Sequence, residues 1–188
     1  MSTLAKLLRR LVFLVVGATV IIAVYLFSMR FADGPSAIVA GGPFSTGEYY
    51  NGAEPNWAWL ADREEVEFQL LAPPRSRTTW ILEHDGRIYI PCGYMDTPWG
   101  KIWKQWPIEA QADGRAILRV DGILYYRQLV RIKQGPQIPH LLSELARKYF
   151  AQPDMQSPSA AARDQLLIAG LQQVTNESLW LFELAPRN

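Results

Sequence analysis

Between Leu11 and Met29 the chain runs LVFLVVGATVIIAVYLFSM, 19 residues without a charged side chain. As a helix rising about 1.5 Å per residue, this stretch spans roughly 28 Å, the thickness of a bilayer's hydrocarbon core. A small soluble domain has no use for so long an apolar segment, so it reads as a transmembrane anchor. Tyr25 and Phe27 suit an interfacial position near its far end, and Lys6, Arg9 and Arg10 precede it. Basic flanks stay on the cytoplasmic side. This predicts a cytoplasmic tail over residues 1–10, an anchor in the bilayer over 11–29, and a single-pass inner-membrane protein whose remaining chain is periplasmic or extracellular. A cleaved signal peptide shares the basic start and the apolar stretch. It fits less well, because Arg30 follows at once and small-residue cleavage candidates come only near Ala37 and Ala40.

Setting the anchor apart changes the charge of what is left. The 188 residues carry 19 basic and 18 acidic side chains, net +1. Residues 1–30 hold four of the basic ones and no acid, which leaves 15 against 18, a net of −3. Such a domain has no general attraction for nucleic acid, which is excluded as a partner. One cysteine, Cys92, and two histidines, His84 and His140, offer neither a disulfide framework nor a zinc-ligand set, and no metal site is predicted.

Residues 30–56 are rich in Gly, Pro, Ser and Asn and read as a linker, with a folded domain over 57–188. Val66 to Leu71 has strand patterning, ended by Pro73-Pro74. Thr78 to Leu82 and Arg87 to Ile90 flank Asp85-Gly86, and Arg115 to Val120 and Ile123 to Ile132 flank Asp121-Gly122. Asp-Gly supplies the positive φ angles of a tight hairpin turn. A helix is predicted from Pro139 to Phe150, with Leu142, Leu145, Ala146 and Tyr149 on one stripe. A second runs over Ala160 to Val174, capped by Ser159, with Leu166, Ala169, Gly170 and Gln173 sharing a face. Leu179 to Leu184 reads as a strand returning to the sheet.

The resulting fold class is mainly β (α+β): a small antiparallel barrel with a helical insertion before its last strand. The order RSRTTWILEHDGRIYIPCG, GKIWKQW, RAILRVDGILYYRQLVRI, helix and terminal strand ending in LAP resembles the flavin-binding split β-barrel of the pyridoxamine 5′-phosphate oxidase-like superfamily, and within it the deazaflavin-dependent nitroreductase branch. The resemblance covers about residues 62 to 186. It implies an FMN or deazaflavin cofactor, its phosphate held by basic or hydroxyl side chains, and a homodimer with the flavin at the interface. Carried over by position, Arg75, Arg77, Thr78 and Thr79 match one phosphate-binding group, and Cys92, Gly93, Gly100, Lys101 and Lys104 the other. Arg offers a fork of donors, Lys a point charge, and Gly a close backbone approach. Trp80, Tyr94, Trp99 and Trp103 are rings that can stack on or cover the flavin. Cys92 stands where the family has a hydroxyl, and GYMDTPWG is longer than the usual turn.

Each feature also has a plain structural reading. Arg75 and Arg77 follow a Pro-Pro turn, where solvated charges are ordinary. Lys101 and Lys104 interleave with Trp103 and Trp106 as an exposed face with inward tryptophans does, and Cys92 is a small buried hydrophobe. His84 is a solvent-exposed turn residue. Two functional classes follow: a membrane-anchored flavin-type oxidoreductase acting on a small molecule, and a cofactor-free accessory module contacting a membrane-protein partner through GYMDTPWGKIW and YYNGAEPNWAW.

Overall fold

A computed structural model of the chain describes residues 3–97, 104–150 and 160–187. Helix α1, Thr3–Ser28, contains the apolar run except Met29, which starts a short 3-10 turn; it is long and apolar enough to cross a membrane and has no buried residue. It begins before the apolar run, so Lys6, Arg9 and Arg10 lie on its first turns.

The body is an antiparallel curled sheet flanked by helices. In chain order its strands are β1 (Glu48–Tyr49), β2 (Glu65–Leu71), β3 (Pro74–Trp80), β4 (Leu82–His84), β5 (Arg87–Cys92), β6 (Arg115–Val120), β7 (Ile123–Ile132) and β8 (Trp180–Pro186). The sheet order is β3-β2-β6-β7-β8-β5-β4, and β1 adds a short parallel pair to β7. The two end strands, β3 and β4, are joined through the single residue Ile81, so the sheet curls until its edges meet at that corner. The result is a half-barrel split beside β3.

Both expected Asp-Gly turns are present. Asp85 and Gly86 have φ of 53° and 73°, Asp121 and Gly122 of 50° and 79°, closing two-residue loops between His84↔Arg87 and Val120↔Ile123. These are the left-handed angles that a tight hairpin's twist requires. The strand expected over Thr78 to Leu82 is divided. Residues 78–80 complete β3 and pair with β2, while Leu82–His84 alone pairs with β5. At the break, the Ile81 N–H donates to Tyr149 Oη (3.0 Å), and its carbonyl accepts from Lys148 Nζ (2.8 Å). Burial pushes the Tyr149 hydroxyl up to about 12, keeping it a neutral hydrogen-bonding group.

Inside the half-barrel, Phe68, Leu118, Ile90 and Phe182 are fully buried with Trp57 and Trp106. Helix α2, Trp106–Ala112, was not expected from the sequence. It starts with Trp106 and Pro107 and turns the tryptophan ring onto Phe68 (5.0 Å) and Phe182 (5.4 Å). Helix α3, Gln137–Tyr149, covers the opposite face of β4, β5 and β8 with Ile138, Leu141, Leu142 and Leu145. That double cover explains why Ile88 through Cys92 are all buried. Helix α4, Ala160–Thr175, packs Leu167, Gly170 and Val174 against α3; of the expected face Gly170 is buried there, while Leu166, Ala169 and Gln173 are exposed. The expected cap Ser159 lies outside the described residues.

The segment expected to be a linker is bonded along the body. Met29 is buried, the Gly42 N–H donates to Ala32 O (3.1 Å), and Ser76 Oγ donates to Gly42 O (2.6 Å). Gly41 passes so close to Gly34 that a Cβ would collide with the Gly34 carbonyl. The Phe44 N–H donates to Gln69 Oε1 (2.6 Å). Asp33 accepts from the Ser45 N–H (2.7 Å), the Thr46 N–H and hydroxyl, and Arg119 (3.1 Å). Burial alone would raise the Asp33 carboxyl, but these donors and the Arg119 charge outweigh it and hold it at about 2. A carboxyl that titrates lower in the fold than in the unfolded chain stabilises fully above the ordinary carboxylate range. It loses that contribution as the pH falls toward about 2. Urea midpoints measured from neutral pH downward are therefore expected to fall more steeply for the parent than for Asp33→Asn. Parallel profiles would remove Asp33 from the account of acid sensitivity.

Candidate functional site

The split in the half-barrel opens a cleft of about 870 Å³. Strand β3 lies against β5 but is not hydrogen-bonded to it, because the chain turns off at Ile81 into β4. One wall is the end of β3, with Thr78, Thr79 and Trp80. The facing wall is the end of β5 and the loop after it, with Pro91, Cys92, Gly93 and Tyr94. Leu145 at the α3 end and Phe150 after it, Lys104 and Trp106 at the α2 start, and Gln173, Ser178 and Leu179 add to the lining, which also includes Ile38 and two exposed carboxylates, Glu65 and Asp96. A cleft of this size with mixed aromatic, aliphatic and polar walls is the general form of a small-molecule site.

The loop after β5 is held in place by its own bonds. Tyr94 has φ +63°, the Met95 N–H donates to Ser178 O (3.0 Å), and Met95 is buried. Lys104 Nζ donates to Gly93 O (3.1 Å) and lies 5.5 Å from the Tyr94 ring centroid. A cation is thus fixed on the cleft wall beside an aromatic ring, with Thr78, Thr79 and Trp80 on the wall across.

Of the residues singled out from the sequence, Thr78, Thr79, Cys92, Gly93 and Lys104 come together on this cleft. Arg75 and Arg77 do not line it. Arg75 Nη2 donates to Ala40 O (3.0 Å), and Arg77 pairs with Glu109 (3.2 Å) and donates to Arg75 O (3.2 Å). Burial draws both guanidinium groups down from their ordinary value, with Glu109 opposing it. Lys101 and Trp103, with Trp99 and Gly100, lie outside the described residues. Ile38, Phe150 and Gln173 line the cleft without any local signal in the sequence, since each arrives from an element distant along the chain. His84 is stacked on His140 with ring centroids 4.8 Å apart and is half-buried, unlike the exposed turn residue expected.

Cys92 faces Met95 Sδ at 3.6 Å, and burial pushes its thiol up to about 11 against the pull of Lys104. The reacting species of a cysteine is the thiolate. An Ellman-type reagent is expected to modify the native protein slowly near about pH 8, with the rate rising only as the pH approaches about 11. Rapid modification at neutral pH would contradict this environment.

No family model and no curated protein matches this sequence. Several solved structures are similar to it, two of them at low identity as follows. The conserved hypothetical protein Rv2991 from Mycobacterium tuberculosis aligns at a TM-score of 0.46 and 9% identity, over 69% of this chain and 76% of that one. A candidate pyridoxamine 5′-phosphate oxidase from Listeria innocua aligns at a TM-score of 0.41 and 11% identity, over 70% of this chain and 90% of its own.

Proposed function

We propose that the protein is a membrane-anchored oxidoreductase domain of the flavin type, holding FMN or a deazaflavin in the cleft between β3 and β5. The observation that carries this reading is the cleft lining: the Trp80 ring, stacked on one side by Tyr149, the Tyr94 ring, Thr78 and Thr79, and the Lys104 ammonium in one concave site, with Glu65 and Asp96 as the carboxylates its charge must outweigh. These groups fit a planar polar ring bearing an anionic tail. Trp80 and Tyr94 would cover the ring and exclude water, Thr78 and Thr79 would bond its polar edge, and Lys104 would offset the phosphate. The cofactor itself supplies hydride transfer. Lys6, Arg9 and Arg10 before the apolar run support an N-terminus in the cytoplasm and a domain on the other side of the membrane.

One observation favours a second reading, a cofactor-free accessory module. Both arginines assigned to the phosphate by resemblance are committed elsewhere, to Ala40 and to Glu109. Titrating the detergent-solubilised full chain with FMN, and separately with a deazaflavin, decides between the two. Binding should quench flavin fluorescence, and Lys104→Ala should weaken it about tenfold, the value of one charge-assisted contact. A protein that neither quenches flavin nor gains thermal stability from it is the accessory module.

A further inference from the structure

We infer that the mouth of this cleft lies against the bilayer that α1 enters, and that the cleft draws an amphiphile from the lipid phase; the inference rests on the anchored reading above. Four large apolar side chains that line the cleft are also exposed: Ile38 (84%), Tyr94 (72%), Phe150 (57%) and Trp80 (40%). They come from the 36–39 turn, the loop after β5, the residue following α3 and the end of β3. Single exposed apolar residues are ordinary on any surface, whereas several gathered around one concavity mark a contact surface.

The path of the chain says what covers it. α1 ends at Ser28, Met29 is already buried in the body, and the Gly42 N–H on Ala32 O closes the base of a loop. The tip of that loop is the Ser36↔Val39 bridge, which carries Ile38. Six residues reach at most about 20 Å from Ala32 to Ile38. The cleft's lip is therefore tied close to the point where the apolar helix meets the domain, with no free linker between them. Ala37 is held at φ +48°, a left-handed angle that alanine seldom adopts, at the position that presents Ile38 to the outside. On the same lip, the exposed Tyr94 ring is of the kind that concentrates in a headgroup layer. Apolar walls from Leu145 and Leu179, with polar groups at Thr78, Gln173 and Ser178 and the exposed carboxylates of Glu65 and Asp96, match a molecule with a hydrocarbon part and a polar head that is not net anionic.

The test reconstitutes the full chain in phosphatidylcholine vesicles doped with a phosphatidylcholine that carries a diazirine on its acyl chain, irradiates them and maps the labelled peptides. Label is expected in α1 and also in peptides containing Ile38, Tyr94 and Phe150. Label in α1 alone overturns the inference while the anchor stands; label in neither overturns both. The double variant Ile38→Asp with Phe150→Asp should lose the cleft label and keep that of α1, and unchanged cleft labelling would also overturn the inference. FMN titration in detergent involves no bilayer, so failure of the flavin reading registers separately.

Discussion

Phe182→Ala is expected to lower the unfolding free energy of the body by about 3–5 kcal/mol, the cost of deleting a buried aromatic ring and leaving a cavity. Phe182 sits on β8 between β5 and β7, has no exposed surface, and packs against the Trp106 ring (5.4 Å) and the Trp180 ring (6.2 Å). It therefore joins the closing strand to α2 and to the centre of the half-barrel. Refilling is difficult here, because the strands on either side are hydrogen-bonded in register and cannot move inward separately. Against a typical domain stability of about 5–15 kcal/mol the loss is large. Urea unfolding should show a lower midpoint with an unchanged slope. Phe182→Leu, which keeps most of the volume, should cost about 1.5 kcal/mol or less. If alanine and leucine cost the same, Phe182 is not the packing centre the structure places there.

Features set by neighbouring residues were legible in the sequence. Asp85-Gly86 and Asp121-Gly122 dictate their turns because the required φ angles belong to those residues alone. The apolar run of α1 and the returning strand at Leu179 to Leu184 are of the same local kind. What was misread depends on partners far along the chain. The β-branched run at Thr78 to Leu82 reads as one strand, yet it breaks at Ile81, where Tyr149 Oη shares the N–H with the Glu64 carbonyl and Lys148 Nζ caps the carbonyl, from 68 and 67 residues away. Arg77 looked available for an anion because nothing nearby in sequence neutralises it, and Glu109 does so across 32 residues. On α4, several apolar faces compete, and the close approach of Gly170 to Leu142 selects the one that packs. The Gly- and Pro-rich segment before Trp57 lacks apolar periodicity, so its composition suggested a linker. It is held instead by isolated polar contacts, at Asp33, Phe44 and Glu54, that no pattern announces. The candidate site shares this limit: the residues on β3 and β5 were recognisable, while those that form its lip arrive from elsewhere.

Glu54→Ala is expected to cost about 3 kcal/mol, more than its half-exposed position suggests, because the damage falls on Arg127. Arg127 is 2% exposed, and its Nη1 donates to both Glu54 oxygens, at 2.9 and 3.0 Å. The guanidinium lies 4.8 Å from the Trp57 ring centroid, and Trp57 Nε1 donates to the same carboxylate (2.7 Å). Removing Glu54 leaves a buried charge facing aromatic rings and orphans the indole N–H, while its own lost packing is small. Arg127→Met removes the charge with the bond, so it should cost less than Glu54→Ala. In the Arg127→Met background Glu54→Ala should then cost about 1 kcal/mol, the remaining share of the indole hydrogen bond. A Glu54→Ala effect within about 0.5 kcal/mol of the parent, the range of ordinary surface changes, would show that water solvates Arg127 despite its burial. The same cycle reports on the N-terminal segment, because Glu54 ties it to β7. If the pair is broken, the segment loses its buried ion pair to β7 and keeps β1, the Tyr49–Tyr126 and Tyr50–Tyr125 ring contacts and the bonds at Asp33, Ala40, Gly42 and Phe44. Trp57 should then become accessible to acrylamide at denaturant concentrations where the half-barrel itself is still folded.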